Sequence, residues 1–324
     1  MKIFINSEFK GDFVQAEYRI RRNLVSIYKL LDYEVVDIID ETVDIAQFIG
    51  VDSCKDKINA CLDKYKMKVI VNYFIDNKHY DKKGKAKIPF DEKKILNKVN
   101  LVIVPSENDK KVLLANEITT RIEVVTPGAN MSKFENLTEL ERDSFLRYSG
   151  MVKGEPYVLS LVSYKNEEDI LDLITLAKRV PYLKFYVFGP NLGFFKIKHK
   201  ILRLITFAPR NLKFRSFVNE DLYKSAMLLA KFFVVTKESN CEILNILDAE
   251  VSKTQLVTIS SRGIDDTLID KENCIVEDTA EKLSLDIQKA MNCEGCTVEQ
   301  GFKFAQKEAY PVIAEKMQSL IKEL

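Results

Sequence analysis

The chain has 324 residues, a length that suits two domains of ordinary size, each with its own apolar core. Hydrophobic residues make up 46% of the sequence and charged residues 30%, as in globular proteins, and the net charge of +1 gives no general attraction to nucleic acid. No apolar run approaches the ~20 residues that a membrane-spanning helix needs, and the N-terminus enters a strand-like segment without a signal-peptide core. We therefore expect a cytosolic protein whose cysteines are reduced.

Strand-like and helical segments alternate along the chain. Before residue 130 the strand-like segments are Lys2–Asn6, Tyr33–Ile39, Lys68–Ile75, Leu101–Pro105 and Arg121–Thr126, and the helical ones are Phe13–Leu31 and Ser106–Asn116. After the polar segment 132–155, the strand-like segments are Tyr157–Val162, Leu183–Phe188, Lys213–Phe217, Lys231–Thr236 and Gln255–Ile259. The helical segments of this half are Asp169–Arg179, Glu220–Ala230, Ile243–Glu250, Thr279–Ala290 and Val298–Leu324. Such alternation predicts an α/β fold built from βαβ units.

The segment 231–276 carries the most informative pattern. The apolar strand Lys231–Thr236 is followed by the loop Lys237–Glu242, the helix Ile243–Glu250 and a second strand. In a βαβ unit, ligands bind beyond the carboxyl ends of the strands, and a helix N-terminus at that place can receive a phosphate. The loop Lys237–Glu242 occupies this position.

The same segment is similar, without a gap, to the donor-binding segment of retaining glycosyltransferases with the two-domain GT-B fold, specifically the family 4 group. That family has a Glu-Gly-Phe-Gly loop, a helix ending in Glu-Ala, a Gly-Thr-Pro-Val-Val strand and a Gly-Gly-x-x-Glu turn. The corresponding segments here are Asn240-Cys-Glu-Ile243, Asp248-Ala249, Lys253-Thr-Gln-Leu-Val257 and Arg262-Gly-Ile-Asp-Asp266. The spacing is retained, although several signature residues differ.

A second stretch, 101–134, supports the resemblance. Val104-Pro-Ser106, followed by Thr126-Pro-Gly-Ala-Asn130 and Phe134, resembles the segment that precedes the interdomain linker of the family. A turn after a strand would by itself favour Pro-Gly. The combination of both motifs at this spacing is more specific.

The resemblance implies two Rossmann-like domains with parallel sheets facing an interdomain cleft. Residues 1–150 would form the acceptor-side domain, with the C-terminal helix 306–324 packing back on it, and residues 151–305 would bind the nucleotide sugar. The implied activity is transfer of a hexose from a nucleoside diphosphate sugar to an acceptor hydroxyl, with retention of configuration. No metal or other cofactor is expected, and the acceptor would be a glycan or a lipid-linked molecule.

The residues that carry donor chemistry in the family can be placed on this sequence. Lys165 aligns with the lysine that binds the diphosphate, whereas the partner arginine of the family falls on Ser160 or Ser163. Asp248 aligns with the ribose-binding glutamate and Asn240 with the glutamate that contacts the hexose. A literal Glu-x7-Glu pair, Glu242 and Glu250, lies two residues further on and is an alternative. A solvated loop lysine and solvated helix carboxylates would explain the same residues without any donor.

Glycine-containing turns provide the remaining candidates. Gly263 and Ile264 match the loop near the donor phosphates, and Asp266 replaces the glutamate of that loop. Gly11 stands where the family has a glycine-rich loop near the acceptor and the diphosphate, but an ordinary tight turn explains this glycine equally well. The missing glycines of segment 240–243 mean that the donor is bound in a modified manner or that the site has decayed.

Three further features have simpler alternatives. The stretch 191–217 holds many cations, several phenylalanines and no acidic residue, which is compatible with contact with membrane lipid or with the donor phosphates. A helix and strand with core aromatic residues and solvated cations is the simpler interpretation. A second lysine-rich loop, Lys78–Lys98, is diluted by acidic residues and is interpreted as solubilising. Cys293 and Cys296 form a lone CxxC pair, which lacks the further ligands that a zinc site needs. An incidental pair of reduced thiols is the simpler interpretation.

Two other functions remain compatible with the sequence. A catalytically inactive GT-B subunit, acting as a scaffold for an active transferase, would explain the missing arginine, glutamate and glycines. A sugar-nucleotide epimerase shares the fold but needs more acid–base residues than the sequence offers. Binding of a nucleotide sugar would separate the transferase from the scaffold.

Overall fold

The computed structural model describes residues 1–7, 16–75, 79–80, 86–162, 167–189, 198–216, 219–236, 242–259, 270, 272–291 and 297–324. The chain divides into two compact units: unit 1 is Met1–Gly128 with Glu308–Leu324, and unit 2 is Ala129–Lys307. The sequence analysis placed the division near residue 150. In the structure the segment 129–150 groups with unit 2, because its helix Glu139–Ser149 packs against helix Glu220–Leu229.

Unit 1 is built around a parallel sheet of six described strands. The strands are β1 (Lys2–Ile5), β2 (Glu34–Val36), β3 (Ile45–Ile49), β4 (Lys68–Asn72), β5 (Leu101–Val104) and β6 (Ile122–Val124). Their order across the sheet is β2-β1-β3-β4-β5-β6. The helices are α1 (Ala16–Leu30), α2 (Lys55–Asp63), α3 (Phe90–Leu96), α4 (Glu107–Ala115) and α12 (Tyr310–Lys322). This arrangement places the apolar strands between layers of helices, as in other all-parallel sheets.

Unit 2 contains the second sheet of six described parallel strands. The strands are β7 (Tyr157–Leu161), β8 (Lys184–Gly189), β9 (Leu212–Ser216), β10 (Phe232–Val235), β11 (Gln255–Ile259) and β12 (Ile275–Glu277). The helices are α5 (Glu139–Ser149), α6 (Glu167–Arg179), α7 (His199–Thr206), α8 (Glu220–Leu229), α9 (Glu242–Val251), α10 (Ala280–Ala290) and α11 (Val298–Lys307). The strand order β12-β11-β10-β7-β8-β9 is that of a Rossmann domain, in which the direction of winding reverses between β7 and β10.

Several elements differ from the sequence-based prediction. Strand β3 was not predicted, because Gln47 interrupts its apolar run; all five of its residues are buried between β1 and β4. Helix α2 follows Cys54, which makes no side-chain cap, so the usual start signal is missing. The predicted helix Val298–Leu324 is two helices, α11 and α12, and Pro311 occupies the first turn of α12, where proline is favoured.

The segment before α5 contains a sequence signal for a helix start. Thr138 accepts a hydrogen bond from the backbone N–H of Glu141, and the Glu141 side chain accepts one from the backbone of Thr138. This capping box satisfies two backbone donors at the helix N-terminus. Gly150 ends α5 in the left-handed conformation. The polar linker segment therefore contains a well-defined helix.

The last helix, α12, is fastened to unit 1 by a cluster around Gly128. Tyr310 Oη donates to Asn23 Oδ1 at 2.6 Å, and Asn23 Nδ2 donates to the Gly128 carbonyl at 2.9 Å. Thr126 Oγ1 donates to Glu308 Oε2 at 2.6 Å. Gly128 has a φ of +80°, and a Cβ there would lie 3.0 Å from Tyr310 Cδ1. Glycine is therefore required both by the backbone conformation and by the close approach of Tyr310.

We predict that Gly128→Ala destabilises the protein by about 2 kcal/mol, because the substitution combines backbone strain with a steric clash. The change in free energy of unfolding can be measured by urea denaturation. Gly150→Ala is a matched control, since Gly150 also has a positive φ, +70°, but a Cβ there meets nothing within 4 Å. A loss from Gly128→Ala no larger than the loss from Gly150→Ala would show that the Tyr310 contact does not constrain the position.

Candidate functional site

In the unit 2 sheet, the direction in which successive strands are added reverses between β7 and β10. The two strands are parallel neighbours, with Val234 opposite Ser160, and Ser160 Oγ donates to the Val234 carbonyl at 2.9 Å. The described ends of these two strands, at Val162 and Thr236, therefore lie at the same edge of the sheet. Ligands of doubly wound sheets bind at such a switch point. The predicted residues Lys165 and Asn240 follow these ends in the sequence but lie outside the described residues.

The two helices that follow β7 and β10 in the sequence differ in charge. The first turn of α6 holds Glu167, Glu168 and Asp169, which stabilise the positive end of the helix dipole but repel a phosphate. Helix α9 starts at Glu242, and its next acidic residue is Asp248. The Glu242 side chain lies outside the described part of the structure. Of the two helix N-termini, that of α9 is better suited to an anionic ligand.

Asp248, on α9, is the predicted site residue whose surroundings are best defined. Its side chain is buried, and one oxygen, Oδ2, receives two donors: Lys133 Nζ at 2.7 Å and Tyr223 Oη at 2.9 Å. Lys133 lies 115 residues before Asp248, and Tyr223 belongs to α8. The ion pair is shielded from solvent, since the two charged side chains are 13% and 12% exposed. The carboxylate is therefore compensated within unit 2.

Two aromatic rings complete the surroundings of the Lys133 ammonium. Nζ lies 4.9 Å from the centroid of the Tyr223 ring and 5.2 Å from that of Phe134, both within the range of a cation–π contact. The two rings meet edge to face, with their centroids 6.2 Å apart. Phe134 is itself buried. A flexible lysine side chain is thus confined by a carboxylate and two aromatic faces.

A short turn directs Lys133 towards Asp248. Asn130 Oδ1 accepts hydrogen bonds from the backbone N–H of Ser132 at 3.2 Å and from its hydroxyl at 3.0 Å. The backbone N–H of Lys133 donates to the Asn130 carbonyl at 3.1 Å. Asparagine is favoured in such turns because its side chain bonds the backbone two residues on. Asn130 and Phe134, which carried part of the sequence resemblance, thus flank the lysine.

Glu250, the alternative carboxylate on α9, has different surroundings. It is 2% exposed, and Asn273 Nδ2 donates to its Oε1 at 3.1 Å. Helix α11 covers it so closely that a Cβ at Gly301 would lie 3.1 Å from Glu250 Cγ. Residues two apart on a helix do not face each other. Asp248 and Glu250 therefore serve different contacts, one with α8 and the turn at Lys133, the other with α11.

Burial next to Glu250 also affects a cysteine. Burial, followed by the charges of Glu250 and Asp270, raises the pKa of Cys274 to about 12. Its thiol is therefore neutral and a poor nucleophile at physiological pH. Glu250, Asn273 and Cys274 thus form a packed polar layer beneath α11.

The other predicted site residues lie outside the described residues. These are Gly11, Gly263, Ile264 and Asp266, and the CxxC pair of Cys293 and Cys296 falls in the same category. In the sequence, Gly263 comes after β11, which is the neighbour of β10 in the sheet.

The corresponding edge of the unit 1 sheet is held by buried polar residues that the sequence analysis did not identify. Asn6, after β1, accepts a hydrogen bond from the Ile49 N–H at 2.9 Å and donates to Cys54 Sγ at 3.0 Å. Gln47 Nε2 donates to Asn72 Oδ1 at 2.5 Å. Their position within or directly after apolar strands is the sequence feature by which these polar residues could have been identified. Their hydrogen bonds connect β1, β3 and β4 near the strand ends.

A second buried cluster follows β4. Tyr73 Oη donates to Glu92 Oε2, and His79 Nε2 lies 3.0 Å from Tyr73 Oη and 3.4 Å from the same carboxylate oxygen. All three residues are buried. Glu92 belongs to α3, so these contacts fasten that helix to the end of β4.

The part of the chain that the structure describes contains no helix that is long and apolar enough to cross a membrane. It also contains no group of three or more His, Cys, Asp or Glu residues arranged to hold a metal ion.

No family model matches the chain, and no curated protein sequence matches it. Solved structures match it over nearly the whole length. Sucrose-phosphate synthase from Thermosynechococcus elongatus has a TM-score of 0.81 at 13% identity, covering 99% of this chain and 98% of its own. A glycosyltransferase from Rickettsia africae has a TM-score of 0.74 at 13% identity, with the same coverage of 99% and 98%. Anabaena Alr3699/HepE, in complex with UDP and glucose, has a TM-score of 0.74 at 13% identity over 100% of both chains.

The chain has the GT-B fold. Each unit is one Rossmann-like half of that fold, with a six-stranded parallel sheet and flanking helices. The fold prediction made from two short motifs is thus confirmed. The sequence analysis did not identify Lys133 and Tyr223, which contact the predicted site residue Asp248. The signal for them was an acidic residue among the buried residues of α9, because a buried carboxylate needs a cation from another part of the chain.

We predict that Lys133→Met lowers the free energy of unfolding by about 3 kcal/mol, because it leaves the buried Asp248 carboxylate without its cation. Urea denaturation of the variant measures this loss. Lys253→Met is a matched control: Lys253 Nζ lies 3.0 Å from Glu299 Oε1 and 4.5 Å from the Phe302 centroid, but the two charged side chains are 46% and 67% exposed. An exposed pair contributes less than about 1 kcal/mol. Equal losses in the two variants would contradict a special role for the Lys133 pair.

Proposed function

We propose that the protein is a glycosyltransferase that moves a hexose from a nucleoside diphosphate sugar to an acceptor hydroxyl, with retention of configuration as in family 4. The observation that carries the proposal is the compensated carboxylate of Asp248 on α9, the helix that begins at the switch point of unit 2. Structurally similar proteins add support, since Alr3699/HepE has been observed with UDP and with UDP-glucose. A uridine nucleotide sugar is accordingly the first donor to test.

The proposed roles follow from the chemistry of the leaving diphosphate. Negative charge develops on that group as the glycosidic bond to it breaks, and preorganised cations and amides stabilise such charge. Lys165 would supply the cation, with the α9 N-terminus and the amides around Gly263 as hydrogen-bond donors. Asn240 or Glu242 would contact the hexose. We assign no metal to this mechanism.

We assign the ribose to Asp248 and not to Glu250. Asp248 lies six residues after the start of α9, about 9 Å along the helix axis from the proposed phosphate position. Glu250 is 2% exposed beneath α11 and bonds to Asn273, whereas the Asp248 side chain is 12% exposed. This choice corresponds to the alignment in which Asn240 and Asp248 occupy the two carboxylate positions of the family motif.

We predict that a nucleoside diphosphate sugar raises the thermal stability of the protein. At about 100 times its dissociation constant, the ligand should add about 2.7 kcal/mol to the free energy of unfolding. A thermal-shift screen with UDP, GDP and ADP sugars tests this, and product formation with candidate acceptors tests transfer. Asp248→Asn should reduce the shift, because an amide is a weaker acceptor for the ribose diol than a carboxylate.

The outcomes of this screen separate the alternatives. If Glu250→Gln removes the shift and Asp248→Asn keeps it, the register Glu242/Glu250 is the correct one. If no nucleotide sugar stabilises the wild-type protein, the transferase proposal fails. A non-catalytic GT-B subunit, acting as a scaffold for another transferase, would then be the better description.

We also propose that unit 2 contacts an anionic membrane surface through α7 and β9. Phe207, at the end of α7, is 77% exposed. The surrounding exposed cations are Lys198, Lys200, Arg203, Arg210 and Lys213. Glu167 pairs with Lys200 at 2.7 Å and offsets part of the charge. Cations around an exposed aromatic ring are favourable at the interface of anionic lipids.

We predict that the protein cosediments with vesicles containing phosphatidylglycerol and much less with pure phosphatidylcholine, in a salt-sensitive manner. Reversing two charges with Lys200→Glu and Arg203→Glu, or removing the ring with Phe207→Ser, should reduce binding several-fold, at about 1 kcal/mol per charge. Lys303→Glu with Lys307→Glu on α11 is the control with the same change in net charge. Equal effects of the two double variants would show that net charge alone matters.

A further inference from the structure

Lys133 and Tyr223 contact the proposed ribose carboxylate from two different parts of unit 2. Lys133 Nζ and Tyr223 Oη lie 2.7 Å and 2.9 Å from the same oxygen, Asp248 Oδ2. We propose that both are positioning residues for ribose recognition, which fix the Asp248 carboxylate so that it accepts hydrogen bonds from the ribose hydroxyls of the donor. This inference rests on the glycosyltransferase function proposed above.

Two donors on one oxygen restrict the rotation of the carboxylate. Aspartate has one methylene fewer than the glutamate that the family 4 motif has at this position, so it reaches less far from α9. A shorter side chain must be oriented more accurately to meet a diol, because hydrogen bonds weaken steeply when their angle is poor. The pair of contacts to Lys133 and Tyr223 provides that orientation.

Both positioning groups are themselves immobilised. Tyr223 is buried on α8, so its hydroxyl is held at the end of a rigid ring. The Lys133 ammonium lies 4.9 Å from the Tyr223 centroid and 5.2 Å from the Phe134 centroid, and its backbone is fixed by the turn at Asn130. A lysine side chain loses rotamer freedom when it is ordered, and in this arrangement that ordering is completed before a ligand arrives.

The arrangement differs from the other lysine pair of unit 2 that contacts an aromatic ring. Lys253 bonds to Glu299 with both side chains exposed, and its ammonium lies 4.5 Å from the centroid of the Phe302 ring. Lys133 instead is shielded, contacts two rings and shares its carboxylate with a tyrosine hydroxyl. The carboxylate in this shielded arrangement, that of Asp248, is the one that the sequence motif aligns with the ribose-binding residue of the family.

The test compares ribose with 2′-deoxyribose in the same nucleotide. Isothermal titration calorimetry measures the dissociation constants of UDP and 2′-deoxy-UDP, and in parallel those of GDP and ADP and their 2′-deoxy forms. The ratio of the two constants gives the preference of each variant for the ribose form. The wild-type protein should prefer it by about tenfold or more, as expected for a hydrogen bond to a charged group. Lys133→Met and Tyr223→Phe should reduce this preference towards parity, while affinity for the 2′-deoxy form stays close to that of the wild type.

The controls separate positioning from stability alone. Lys133→Arg retains the positive charge and should keep most of the preference for ribose, and Lys253→Met should keep all of it. Circular dichroism verifies folding. If Lys133→Met does not fold, Tyr223→Phe and Lys133→Arg decide the question, because Tyr223→Phe preserves the packing of the ring and Lys133→Arg preserves the positive charge.

Three results would overturn the inference, and they differ from one another. Undiminished ribose preference in Lys133→Met and Tyr223→Phe would show that the two residues do not position Asp248. A wild-type protein that binds UDP and 2′-deoxy-UDP equally would remove Asp248 from the ribose, with donor binding intact. Absence of binding of every nucleoside diphosphate would refute the proposed transferase function itself.

Discussion

The parallel pairing of β7 with β10 is the constraint on which the architecture of unit 2 depends. Residues 157–161 and 232–235 are far apart in the chain, yet their pairing makes the connections that follow them leave the sheet together. Helix α9 then carries Asp248 away from that edge and against α8, where Tyr223 and Lys133 meet it. The position of the candidate site is therefore a result of strand order, and its chemistry is a result of three separate side chains.

Local sequence patterns were sufficient for much of this architecture. Strand β10 is a continuous apolar run, β7 and β11 are mostly apolar, and helices α6, α8 and α9 have clear periodicity, so their existence could be predicted. Strand β3 could not, because Gln47 looks polar in isolation and becomes compatible with a central strand through its hydrogen bonds with Asn72 and Tyr28. Helix α5 was not delimited for a different reason: the segment 132–155 was interpreted as a hinge that is helical in places, although its Thr138–Glu141 capping box marks the start of the helix.

The candidate site shows the same division between local and long-range information. Asp248 was predicted because it stands at a motif position on an otherwise apolar helix. Its partner Lys133 lies 115 residues away and Tyr223 25 residues away, and no local pattern connects them. The different roles of Asp248 and Glu250 likewise could not be assigned without the position of α11, because both residues belong to the same ten-residue helix. A motif can name the acidic residue, whereas only the packed chain identifies its counterion.

The place of α12 in unit 1 affects the order in which this protein can mature during synthesis. Residues 308–324 are synthesised after residues 129–307 but pack with residues 1–128, which are synthesised before them. Chains are made at about 5–20 residues per second, and domains generally fold as units. The face of α1 that α12 covers therefore stays open while all of residues 129–307 are translated, and unit 1 is completed only after unit 2 has been synthesised.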